Sequence, residues 1–76
     1  MTTQEALRVL EIPQTSLARA LGITDATVSR KIHGINGWKP GEIYRLYEVL
    51  HKVDASIDVA FVLDLINTTN ELRGAA

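Results

Sequence analysis

The segment QTSLARALGITDATVSRKIH, Gln14 to His33, restricts the fold of this chain more than any other feature. Its apolar residues recur at spacings of three and four, the helical period, stop at Gly22 and resume beyond Thr24. Leu17, Ala18 and Leu21 fall on one side before Gly22, a residue free to take a left-handed backbone. Thr24 offers an oxygen to the N–H groups of the next turn, and Asp25 suits the positive end of a helix dipole. Ala18 is small where two helices cross closely, while Leu17, Leu21, Ile23 and Val28 pin the pair together at a steep angle. The second of these helices, about Asp25 to His33, is thereby left standing proud of the surface.

Three more helices complete the pattern, and strand signals are weak throughout. The first starts at Thr2 with Glu5 three residues on, a capping-box spacing, and ends at Ile12-Pro13 because the residue before proline avoids the helical region. After the loop Ile35-Asn36-Gly37-Trp38, Pro40 suits the first position of a fourth helix. There Ile43, Leu46, Tyr47 and Leu50 form an apolar stripe, and Glu42, Arg45, Glu48 and Lys52 on the other side are spaced to pair. The fifth, about Ser56 to Leu72, has a wider apolar face. The expected architecture is all-α, five helices in one domain over residues 1–76.

The size and composition fit that reading. A chain of 76 residues with 46% apolar and 22% charged residues is globular rather than disordered, with room for one domain. It has no cysteine, so neither a disulfide framework nor a cysteine zinc site holds it together. No apolar run approaches the ~18 residues of a membrane span, and the N-terminus lacks the basic start and apolar middle of a signal peptide. A soluble cytoplasmic protein is expected. The net charge of −1 conceals an asymmetry. Up to residue 40, Arg8, Arg19, Arg30, Lys31 and Lys39 outnumber Glu5, Glu11 and Asp25; beyond it, Arg45, Lys52 and Arg73 are outnumbered by acids. Any polyanion therefore belongs to the first half, with the acidic half turned away.

From Gln14 to Leu50 the chain resembles the Cro/repressor-type helix-turn-helix proteins of phages and bacteria, the Xre family. The resemblance rests on Leu17-Ala18-Arg19, Leu21-Gly22-Ile23-Thr24, Thr27-Val28-Ser29-Arg30 and Ile32-His33-Gly34, followed by an amphipathic helix. Thr27-Val28-Ser29-Arg30 is also similar to the recognition helix of lactose-repressor-type proteins. One departure stands out: Lys31 occupies a position that is usually apolar in the family. Its stem can follow the core edge and send the ammonium outward, where it adds a phosphate contact. The resemblance implies a lambda-repressor-like fold, a helix-turn-helix over 14–33 whose second helix enters the major groove, and a regulator of transcription, a repressor in particular.

It also implies base contacts at Asp25, Ala26 and Arg30. Arg30 has a planar fork that matches guanine O6 and N7, with a phosphate contact or a solvated charge as the plainer role. Ala26 suits a thymine methyl or is simply a good helix former, and Asp25 suits cytosine N4 or the helix dipole. Thr27 and Ser29 carry hydroxyls for base edges or phosphates. Gln14 and Thr15 start the second helix, where side chain and backbone N–H groups can meet a phosphate. His33, Asn36 and Lys39 flank the far end as candidate backbone contacts. Trp38 fits better as a plug beneath the loop.

No enzyme is expected, and no cofactor or metal: His33 and His51 lie on different helices without an acid at ligand spacing, and no phosphate loop or nucleophile motif is present. The partners expected are double-stranded DNA and a second copy of the chain, through Ile57, Phe61 and Leu65 of the fifth helix. The net charge leaves open a protein-interaction module of antirepressor or antitoxin type that retains the fold, with a protein partner in place of DNA.

Overall fold

A computed structural model describes residues 1–74 as five α-helices, with no strand among the described residues: α1 Thr3–Val9, α2 Gln14–Leu21, α3 Asp25–Ile32, α4 Pro40–Val53 and α5 Val59–Gly74. No helix among these residues is long and apolar enough to cross a membrane.

Each helix begins and ends for a local reason. Thr2 caps α1 reciprocally with Glu5: its hydroxyl accepts from the Glu5 N–H at 3.2 Å and its own N–H donates to Glu5 Oε1 at 3.0 Å. The helix closes before Pro13, with Glu11 in the left-handed region (φ 57°), the Ile12 N–H on the Leu7 carbonyl and the Glu11 N–H on that of Arg8. Gly22 is left-handed (φ 70°, ψ 32°) at the end of α2, and Gly34 (φ 77°) follows α3. Thr24 accepts from the Thr27 N–H at 3.2 Å, and Pro40 opens α4.

The last helix starts at Val59, not at the expected Ser56. The Ser56 hydroxyl and N–H both donate to Asp54 Oδ1, at 2.6 and 3.0 Å, which makes a turn; Asp58 caps α5 instead, accepting from the Phe61 N–H at 2.8 Å.

The core contains Leu7, Leu17, Val28, Leu46, Leu50, Val62 and Leu65, drawn from all five helices. Ile23, Trp38 and Tyr47 pack around it half-buried, whereas Tyr44 is exposed. Two of the three residues expected to carry a dimer contact, Ile57 and Leu65, are core residues, 6% and 1% exposed. The inward face of α5 is Val62, Leu65, Ile66 and Thr69, a helical stripe that leaves Val59, Phe61 and Leu63 on its flanks. Thr69 fastens α5 to α1. Its hydroxyl donates to the Leu65 carbonyl at 2.8 Å, and its oxygen accepts from the Thr3 N–H at 3.0 Å and the Thr3 hydroxyl at 3.2 Å.

Candidate nucleic-acid interface

The burial of α3 divides it into two faces. Val28, Lys31 and Ile32 are buried, and a turn of 100° per residue then sets Ala26, Arg30 and His33 on the opposite side. All three are exposed, as is Asp25 at the first turn, while Thr27 and Ser29 are half-buried on the shoulders. The outward face thus joins a methyl group, a guanidinium and an imidazole along about two turns.

The other expected contacts surround this face at both ends. Gln14 and Thr15 are exposed at the start of α2, and the Gln14 side-chain amide donates to the Asp25 carbonyl at 3.2 Å. That bond docks the beginning of α2 on the beginning of α3, so Gln14 is a bracing residue as well as a surface one. Its backbone N–H and that of Thr15 precede the first intrahelical bond, which Ser16 makes to Pro13. At the far end, Asn36 is half-buried and Lys39 exposed. The His33 ring donates through Nδ1 to the Ser29 carbonyl at 2.7 Å, which holds the exposed ring against its own helix.

Lys31 departs from expectation. Its ammonium turns inward, 2.8 Å from Glu42 Oε1 on α4, and donates to the Gly37 carbonyl at 2.9 Å. It sits over the Trp38 ring, 5.9 Å from the centroid, and the residue is 6% exposed. A side chain so enclosed, with its ammonium turned inward to Glu42 and Gly37, is directed away from an outside phosphate; it holds the loop after α3 against α4. The same Glu42 oxygen accepts from the Lys39 N–H at 2.9 Å. Burial would raise the Glu42 carboxyl, but its bonds to the Lys31 ammonium and the Lys39 N–H keep it below its usual range.

That pair is the one ion pair among the described residues, so Arg30 has no carboxylate within 4.0 Å. The expected pairing of Glu42, Arg45, Glu48 and Lys52 along α4 is replaced by this pair and by a bond from Arg45 Nη1 to the Ala20 carbonyl at 3.4 Å.

One cation was missed in the sequence. Arg73, in the acidic half, lies beside the end of α3: a Cβ placed on Gly34 would meet Asn70 Oδ1 at 3.2 Å and Arg73 Cδ at 3.6 Å. Arg73, His33 and Gln4 line an open cleft there of about 530 Å³. No local pattern marked Arg73, because its position follows from the packing of α5 across α1. No protein-family model, curated protein or solved structure matches the chain.

Proposed function

We propose that the chain is a sequence-specific double-stranded DNA-binding protein of the lambda-repressor-like helix-turn-helix type. On this reading it regulates transcription, as a phage or bacterial repressor does, in the cytoplasm of the cell, without a cofactor. The observation that carries the reading is the exposed face of α3: Ala26, Arg30 and His33 project from a short helix whose other side is anchored in the core, and among the described residues Arg30 has no carboxylate partner. A helix so presented fits the width of the major groove, where an unpaired arginine finds guanine acceptors. The surrounding Gln14, Thr15, Asn36 and Lys39 have the polarity that phosphate contacts require.

The sequence-specific reading extends to a homodimer. One helix covers only a few base pairs, and a two-fold pair of helices about 34 Å apart multiplies the discrimination.

The test is titration of labelled duplex DNA, enriched from a random pool, at several salt concentrations. Neutralisation of about four to six phosphates per subunit gives a log–log slope near −0.9 for each. Absence of binding to any duplex at low salt removes the DNA reading and turns attention to a protein partner.

A further inference from the structure

Arg19, Lys39 and Arg45 converge on one open cleft of about 540 Å³ between the last turn of α2 and the first turn of α4, with Gly22 and Glu42 in its walls. The three cations come from different positions: Arg19 from the exposed side of α2, Lys39 from the cap of α4, and Arg45 from one turn further, tethered to the Ala20 carbonyl. Among the described residues, none of them has a carboxylate oxygen within 4.0 Å. The single acid in the wall, Glu42, is already neutralised, since its Oε1 is shared by the Lys31 ammonium and the Lys39 N–H. Glu48, the next acid on α4, does not line the cleft. Three like charges facing one space repel one another until an anion enters, and two arginine forks match the oxygens of a phosphate.

The cleft is mechanically part of α3. Its α2 wall runs through Gly22 into the turn that begins α3, and its α4 wall is held to α3 by Lys31. An anion lodged there is thereby tied to α3 through both walls of the cleft.

We propose that this cleft takes one phosphate of the DNA backbone, beside the base pairs under α3, bound by Arg19, Lys39 and Arg45. The proposal rests on the DNA reading above. It adds Arg19 and Arg45 to the interface and gives the buried Lys31–Glu42 pair a purpose, namely to remove the one negative charge from the site. A contact of this kind fixes the register of the protein on the duplex without reading sequence.

The experiment measures affinity against salt for the wild type, for Arg19→Gln/Lys39→Gln and for Arg19→Lys, each on the selected duplex and on a random one. The double variant is expected to show a slope shallower by up to about 0.9, the share of the one phosphate, and to lose the same factor of affinity on both duplexes. Arg19→Lys keeps the wild-type slope. Trimming base pairs from the ends of the selected duplex lowers the wild-type slope at the point where the phosphate is removed, and leaves the double variant's slope unchanged there. Circular dichroism on each variant verifies the helices. A double variant that keeps the wild-type slope while the wild type binds DNA overturns this proposal and leaves the DNA reading standing. A loss confined to the selected duplex likewise overturns it, because a backbone contact is indifferent to sequence. A wild type that binds no duplex removes both.

Discussion

Lys31 Nζ and Glu42 Oε1 stand 2.8 Å apart beneath the end of α3, with side chains 7% and 16% exposed. A pair this enclosed has given up most of its hydration, so its value appears when one partner is removed and the other is left charged. Lys31→Met is expected to cost about 3 kcal/mol by urea denaturation, and Glu42→Gln a similar amount, since glutamine keeps the cap on the Lys39 N–H but strands the ammonium. Lys31→Met/Glu42→Gln removes both charges and should lose clearly less than the sum. A fully additive double variant contradicts the coupling.

The same pair sets a pH dependence. The Glu42 carboxyl is held below its usual value of 4.5, so the folded state favours the ionised form more than the unfolded chain does. Its contribution is fully present above about pH 4.5 and is lost as the pH falls through the lower folded value. The exposed Glu5 and Asp54 carboxyls are also lowered by bonds to Thr2 and Ser56 and act in the same direction. Melting curves from neutral pH to pH 3 for the wild type and Glu42→Gln separate them: the difference between the two proteins should shrink as the wild type is acidified. A constant difference denies Glu42 this role.

How much of this was legible in the sequence depended on whether a feature was local. Helix α2, its stop at Gly22, the Thr24 cap and Pro40 at the head of α4 follow from period and cap chemistry within a few residues. On α3, 100° geometry with Val28 and Ile32 buried sets Ala26, Ser29, Arg30 and His33 outward; the structure exposes Ala26, Arg30 and His33 and leaves Ser29 half-buried on the shoulder. Lys31 was misjudged because its partner, Glu42, lies beyond a loop whose path no periodicity specifies. Ile57 and Leu65 were misassigned for the opposite reason: α5 is apolar over most of its girth, so its pattern does not select the side that meets the core. Arg73 reaches α3 through the stacking of α5 on α1, which is tertiary information alone.

Arg30 separates base reading from phosphate binding. Arg30→Ala is expected to weaken binding to the selected site by roughly 1–3 kcal/mol and to relax preference at one base position, with folding little changed because the side chain is exposed. Competition between the selected duplex and single-base variants checks it. Equal losses on selected and random DNA would make Arg30 a phosphate contact.

Two left-handed glycines carry different burdens. At Gly22 a Cβ meets nothing within 4 Å, so Gly22→Ala bears only the backbone cost, about 1 kcal/mol. At Gly34 the same φ penalty is joined by a contact of 3.2 Å with Asn70 Oδ1. Gly34→Ala should therefore destabilise more than Gly22→Ala in urea melts. Adding Asn70→Ala should narrow the gap, since it clears the nearest atom; an unchanged gap would assign the cost to the backbone alone.

The proposed homodimer makes its own prediction on α5. Ile57 and Leu65 are committed to the core, so pairing has to use the flanks, and Val59 and Leu63, 44% and 42% exposed and one helical turn apart, form a two-residue apolar strip on one flank, with Phe61, 37% exposed, on the other. Two such strips laid together by a two-fold axis cover each other, which relieves the exposure of four branched side chains. Leu63→Asp puts a carboxylate into that contact and is expected to yield a folded monomer, because Leu63 contributes nothing to the core cluster. Phe61→Asp, on the opposite flank, should leave the dimer intact. Sedimentation at tens of micromolar, with circular dichroism to verify folding, reads both variants. Dissociation by Phe61→Asp but not by Leu63→Asp would move the interface across the helix. A wild type that sediments as a monomer removes the dimer and leaves the single-helix interface of α3 as it stands.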